Sequence, residues 1–238
     1  QKGNPKPRIF RIFNENAIIN RLGFNNKGVD HLVQKLKKRK FSGVVGVNIG
    51  ANKESTGQDR INDYLSCFRK VHEFCDYITV NISSPNTPNL RDLHQSDNLI
   101  DLLNAIEGEI KKVNFVKPIF LKISPDESRE SLEFIIQAVD ESGFSGLIAT
   151  NTTINKDSLQ NSNYKELTGG LSGKPLMNKA TKTIIDIKNI SPNIGVIGVG
   201  GVMSREDFHE KLNSGACLVQ IYTSFIIHGP KIVNELLK

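Results

Sequence analysis

The chain has 238 residues, of which 38% are hydrophobic and 24% charged, with a formal net charge of +6. This balance excludes a disordered or collagen-like chain and leaves room for one large α/β domain. No apolar run reaches the roughly 20 residues of a membrane-spanning helix, and the three cysteines lack the CxxC spacing of a zinc site, so they read as buried, reduced thiols.

In chain order, residues 1–27 read as loop and hairpin. Residue 1 is Gln, not Met, so the start is expected to lie inside a longer gene product. The basic cluster Lys35, Lys37, Lys38, Arg39 and Lys40 reads as a solvated helix end, where cations suit the dipole, rather than as a nucleic-acid patch. Short, β-branched, nearly continuous apolar runs follow at 44–48, 78–82, 119–123, 146–150, 196–199 and 218–222, the signature of parallel strands buried on both faces. Helical patterns lie between them. Ile61, Leu65, Phe68 and Val71 share a face, as do Leu99, Leu102, Leu103, Ile106 and Ile110. So do Leu132, Ile135, Ile136 and Val139, and then Ile184, Ile187 and Ile190. Cys67 and Cys75 fall on a helical pattern and Cys217 begins a strand. Gly229-Pro230 opens a last helix, with Pro in its first turn.

Repeated βα units without a linker leave two architectures, a (β/α)₈ TIM barrel or an open doubly wound sheet. Asn48, Asn81, Lys122, Asn151 and Tyr222 stand at or near the C-terminal ends of different strands. Convergence from many strand ends is the habit of the barrel, whereas an open sheet concentrates its site at one switch point. Six βα units are readable where the barrel has eight, so the first two strands are expected upstream of Gln1.

Asn81-Ile82-Ser83-Ser84-Pro85-Asn86-Thr87-Pro88 is the densest polar motif. It sits at a strand mouth, and its prolines preset the loop backbone. Asn48, Asn81, Asn86 and Asn151 each offer a donor and an acceptor and together suit a flat heterocycle with alternating C=O and N–H groups, although any one of them alone reads as a cap or turn. Lys122, inside Phe120-Leu121-Lys122-Ile123, is costly to bury unless it meets an anion or acceptor; the alternative is a strand-end Lys reaching solvent. Ser84 has only His94 near it in sequence, so no Ser–His–Asp arrangement is evident; it reads as a nucleophile, a base or a loop hydroxyl. Gly198-Val199-Gly200-Gly201 and Tyr222-Thr223-Ser224 follow the last two strands, where barrels commonly bind phosphate. Gly169-Gly170-Leu171-Ser172-Gly173 is a third glycine-rich candidate, on a long loop.

These motifs together resemble the class 2 (quinone) dihydroorotate dehydrogenase family. The resemblance runs through Gly3-Asn4-Pro5-Lys6-Pro7-Arg8, Asn20-Arg21-Leu22-Gly23-Phe24, Asn48-Ile49-Gly50, the motif at 81–88, Lys122-Ile123-Ser124-Pro125-Asp126, Thr150-Asn151-Thr152-Thr153, Gly169-Gly170-Leu171-Ser172-Gly173-Lys174-Pro175-Leu176, Gly198-Val199-Gly200-Gly201 and Val219-Gln220-Ile221-Tyr222-Thr223. It implies a single FMN-binding barrel domain over 1–238, N-terminally incomplete, that oxidises dihydroorotate to orotate in pyrimidine (UMP) biosynthesis and passes the electrons to a quinone. Ser84 is implied as the catalytic base, where class 1 relatives carry Cys. Asn20, Arg21, Leu22, Gly23, Phe24, Asn81, Asn86, Asn151 and Thr152 are implied as substrate contacts. Asn48, Asn81, Lys122, Thr150, Gly173, Gly201, Tyr222 and Thr223 are implied as FMN contacts, with no metal. The family further implies peripheral association with a bacterial cytoplasmic or mitochondrial inner membrane, through an N-terminal segment that this chain does not contain. Two competing readings are a dihydrouridine synthase, which carries Cys where Ser84 stands and acts on RNA, and a truncated barrel that folds only with its missing part.

Overall fold

In the computed structural model, residues 1–85 and 96–238 are described. Strand β1 (Ile9–Ile12) and strand β2 (Ala17–Asn20) form an antiparallel hairpin, as expected for the first 27 residues. Then come α1 (Val29–Lys37), β3 (Gly46–Ile49), α2 (Gly57–Val71), β4 (Tyr77–Asn81), α3 (Ser96–Val113), β5 (Ile119–Ile123), α4 (Arg129–Asp140) and β6 (Gly146–Ala149). The chain finishes with β7 (Gly170–Gly173), α5 (Met177–Ile190), β8 (Val196–Val199), α6 (Arg205–Asn213), β9 (Leu218–Gln220), α7 (Thr223–His228) and α8 (Lys231–Leu237).

Six strands pair in parallel in the order β3-β4-β5-β6-β8-β9, each joined to the next through a helix or a longer crossover. This is a partial (β/α)₈ barrel. The six strands lie within a residue or two of the runs read from the sequence, because β-branched apolar runs are what a doubly covered parallel strand requires. β7 is a correction. Its segment Gly170-Leu171-Ser172-Gly173 reads as loop, yet it pairs antiparallel with β2, so that β1, β2 and β7 make a separate three-stranded sheet. Two glycines and a serine in four residues hide a strand whose single large apolar side chain, Leu171, is buried.

The period-2 alternation of the parallel strands separates two environments. Val47, Ile49, Ile78, Val80, Ile119, Leu121, Ile123, Leu147 and Val196 face the helices and build the main core with Phe68, Leu99, Ile106, Ile135 and Ile184. The alternate residues face inward. Phe120, Ile148, Ile197 and Val199 form a small inner cluster, while Asn48, Asn81 and Lys122 carry polar groups toward the C-terminal mouth. The basic cluster behaves as a helix end: Arg39 pairs with Asp76 at 3.0 Å and Lys37 lies over the Phe74 ring. The cysteines depart from expectation. Cys75 is buried but follows the helical segment, Cys67 is half-buried, and Cys217 is exposed just ahead of β9.

Candidate active site

A cavity of about 580 Å³ opens at the C-terminal ends of the parallel strands, beneath the antiparallel sheet. Its floor comes from three neighbouring strands. Asn81 at the end of β4 is the direct register partner of Lys122 on β5, so both side chains leave the same face of the sheet. Asn48 on β3 joins them. Thr150, Asn151 and Thr152, just beyond β6, line the cavity as well, as do Asn20 at the end of β2 and Leu22, Gly23 and Phe24 beyond it. Phe24 is held at φ +52°, a conformation that a bulky side chain seldom takes and that marks a strained wall.

The amides at the mouth are tied to one another. Asn81 Oδ1 accepts from Ser83 N and Ser83 Oγ, both at 3.2 Å, and from Asn151 Nδ2 at 3.4 Å. Asn151 Nδ2 also donates to Ser83 Oγ at 3.1 Å, and Asn151 Oδ1 accepts from Thr152 N at 2.8 Å. With its oxygen so occupied, Asn81 keeps its amide N–H groups for the cavity. Tyr64, fully buried on α2, donates its hydroxyl to Asn81 O at 2.8 Å and fixes the end of β4 from behind. Asp126 anchors the loop after β6: it accepts from Thr153 Oγ1 and, at 2.9 Å, from Ile154 N, and it pairs with Lys179.

Lys122 is the most telling cation. Its ammonium has no hydrogen-bond or ion-pair partner among the described residues, and burial pushes its pKa down to about 8. Its residual exposure opens into the cavity. A buried, unpaired ammonium is costly unless a ligand supplies the acceptor. Ser84, only 6% exposed, lines the same space just past β4.

The far end is built by Gly173, Gly200, Gly201, Tyr222 and Thr223. Gly201 has φ +82°, and a Cβ there would stand 2.3 Å from Met177 Cα, so only glycine fits. Thr223 Oγ1 donates to Ser172 Oγ at 2.9 Å. Ser224 Oγ is buried, lines the cavity and has no hydrogen-bond partner among the described residues.

The cavity thus gathers Ser84, Asn20, Leu22, Gly23, Phe24, Asn48, Asn81, Lys122, Thr150, Asn151, Thr152, Gly173, Gly201, Tyr222 and Thr223. Arg21 lies elsewhere: its guanidinium donates to Pro7 O and Thr168 Oγ1 and stacks over Phe10, holding the hairpin rather than lining the cavity. Asn86 and His94 lie outside the described residues. Sequence reasoning missed Met203, Gln220, Ser172 and Ser224 as lining residues; the last three stood inside motifs already singled out, whereas Met203 carries no chemical signal. It also missed Tyr64, which reads as one more helix residue.

A family model described as dihydroorotate dehydrogenase matches residues 1–238. The chain belongs to the dihydroorotate dehydrogenase family. It is 44% identical over 241 residues to the dihydroorotate dehydrogenase (quinone) of Legionella pneumophila, covering 99% of this chain and 72% of the relative. The enzyme of the same name from Idiomarina loihiensis is 45% identical with the same coverage. Among solved structures, a crystal structure of DHODH from Eimeria tenella in complex with ferulenol superposes with a TM-score of 0.93 at 36% identity, over 99% of this chain and 69% of that one. The ordered motifs from residue 3 to residue 223 are thus those of an oxidoreductase family, and the partial barrel is the family's fold. These relatives are named for a quinone acceptor, which leaves no support for a dihydrouridine synthase.

Proposed function

We propose that this cavity oxidises dihydroorotate to orotate with FMN as cofactor and a quinone as electron acceptor, in pyrimidine biosynthesis. The observation that carries the reading is that the Lys122 ammonium and the Ser224 hydroxyl, which line one cavity with the Asn81 amide between the strand ends, have no partner among the described residues.

These residues fit FMN. The cavity volume lies in the range of cofactor sites. Lys122, with Asn48, Asn81 and Thr150, would hold the polar edge of the ring system, where a cation stabilises negative charge on the reduced flavin. Gly173, Gly201, Tyr222 and Thr223 would hold the phosphate end, with Ser224 supplying its unmet hydroxyl. FMN, when bound, supplies the acceptor for the hydride that leaves C6 of dihydroorotate and relays the two electrons to quinone.

The chain itself handles the proton. Ser84 Oγ takes the proton from C5 of dihydroorotate as its own hydroxyl proton passes to a hydrogen-bonded acceptor that relays it to solvent. A hydroxyl is a weak base at neutral pH, so its burial and the exclusion of water are part of the chemistry. Asn20, Asn81, Asn151 and Thr152 orient the substrate ring and its carboxylate, Gly23 and Phe24 complete the wall, and Asn86 belongs to the same set by its place in the motif. Holding the ring in one pose converts the encounter into an effectively unimolecular step. A lipid-soluble quinone places the reaction at a membrane surface, with the chain as a peripheral protein; among the described residues no helix is long and apolar enough to cross a membrane.

The test is Ser84→Ala, assayed for dihydroorotate-dependent reduction of a soluble quinone alongside the flavin absorbance of the purified protein. Turnover falls by about 10²-fold or more, the contribution of a positioned base, and the flavin stays bound. Unchanged turnover, or loss of flavin from the variant, contradicts the role given to Ser84.

A further inference from the structure

Helix α6 buries two residues, and both are charged: Asp207 and Lys211. Asp207, 5% exposed, stands in the first turn of the helix, away from the cavity. Its Oδ2 accepts from Met203 N at 2.9 Å, and its Oδ1 accepts from Lys174 Nζ at 2.7 Å. Its own N–H is capped by Ser204 Oγ at 3.3 Å. The two partners belong to different loops. Met203 ends the loop that carries Gly201, after β8, and Lys174 directly follows Gly173, at the end of β7. Lys174 N in turn donates to Asn16 O at 3.0 Å in the hairpin turn. One buried carboxylate therefore spans the parallel sheet and the antiparallel sheet at the point where their glycines face each other across the far end of the cavity.

We infer that Asp207, through Met203 N and Lys174, is the positioning residue that sets the gap between the Gly173 and Gly201 loops, and so the fit of the cofactor's phosphate. The inference rests on the reading of that end as the phosphate site. Gly173 (φ +96°) and Gly201 lie so close to Asn16 O and Met177 Cα that a Cβ at either would clash, and while Gly173 is also paired with Ala17 on β2, Asp207 ties the two glycine segments to each other through Lys174 and Met203 N. A charge-only account has the opposite sign: an anionic carboxylate behind the site repels phosphate, and removing it should improve binding. A purely structural account has no preference among flavins, because lost stability weakens every ligand alike.

The experiment measures dissociation constants of the full chain for FMN and for riboflavin, which lacks the phosphate, by quenching of flavin fluorescence. The variants are Asp207→Ala and Asp207→Asn. In Asp207→Ala the FMN constant rises about tenfold, as expected when a buried N–H loses its acceptor, while the riboflavin constant stays at the wild-type value. Asp207→Asn, which keeps a carbonyl oxygen and the shape of the side chain but loses the ion pair with Lys174, gives a smaller rise of the same selectivity, and it decides the matter alone if Asp207→Ala does not fold by circular dichroism. Equal losses for both flavins, an unchanged FMN constant or a tighter one overturn the inference. A wild-type chain that prefers FMN while both variants keep that preference overturns this clamp alone; a wild-type chain that binds neither flavin overturns the cofactor reading and the clamp with it.

Discussion

At the scale of single residues, Lys122 shows why an unmet group is more informative than a satisfied one. The Lys122 side chain is partly buried and opens into the cavity, where its neighbour Asn81 has its amide oxygen taken by Ser83 and Asn151. The protein therefore carries a partly desolvated cation that a ligand acceptor would satisfy. Replacing Lys122 with Met removes that cost from the empty chain and the contact from the filled one. Flavin affinity should drop by about 1.5–3 kcal/mol, the value of a hydrogen bond to a charged group, while thermal stability without flavin holds or rises. Titration of flavin fluorescence with a parallel melt checks both halves; flavin affinity unaffected by the substitution would show that Lys122 meets no ligand. Lys122 was legible in the sequence because a charge inside Phe-Leu-Lys-Ile breaks the apolar run. Arg21 was misplaced because adjacency to Asn20 says nothing of direction: past the end of β2, alternate side chains point to opposite sides, and Arg21 finds Phe10 and Thr168 on the outer one.

At the scale of elements, the helices divide into those visible in the sequence and those, such as α6 and α7, that are not. α2 to α5 show apolar residues at i, i+3 and i+4 because they cover the sheet. α6 does not, since its buried face holds Asp207 and Lys211. Lys211 donates to Met177 O at 3.2 Å and Thr181 Oγ1 at 2.8 Å, both on α5, and burial pushes its pKa down to about 8. The linkage has a definite sign. The unfolded chain holds this proton up to the ordinary lysine value of 10.5, whereas the folded chain releases it near 8. The cost of the buried charge is thus fully present below pH 8, and stability recovers as pH rises from 8 toward 10.5. Lys122 contributes in the same direction. Denaturant melts across that window should show a gain of roughly 2–4 kcal/mol from Lys211, absent from Lys211→Met. A wild type and variant with parallel pH profiles would mean that Lys211 titrates alike in both states. β7 escaped notice for a related reason. Its pairing is decided by the hairpin it joins, and Gly-Leu-Ser-Gly carries no period of its own.

At the scale of the molecule, the barrel was legible from where polar residues stand rather than from any one motif. Asn48, Asn81, Lys122, Asn151 and Tyr222 stand at or near the ends of five different strands, and all five line one cavity. The strands themselves were legible because both faces of a parallel sheet demand apolar side chains. What could not be read was the contribution of the antiparallel sheet, which roofs the cavity through pairings between residues about 150 positions apart, such as Ile18 with Ser172. The two edge strands of the parallel sheet, β3 and β9, each have one partner among the described residues, and Leu218, Tyr222 and Phe225 are exposed beside β9. Whether the cavity holds its shape with those edges as they are is the central question for function. The measurement that addresses it most directly is the visible absorbance of the purified chain with FMN, before and after anaerobic addition of dihydroorotate. The expected result is a flavin spectrum that bleaches on addition, as two electrons pass from dihydroorotate to the cofactor. A bound flavin that stays yellow in the presence of dihydroorotate would contradict the account.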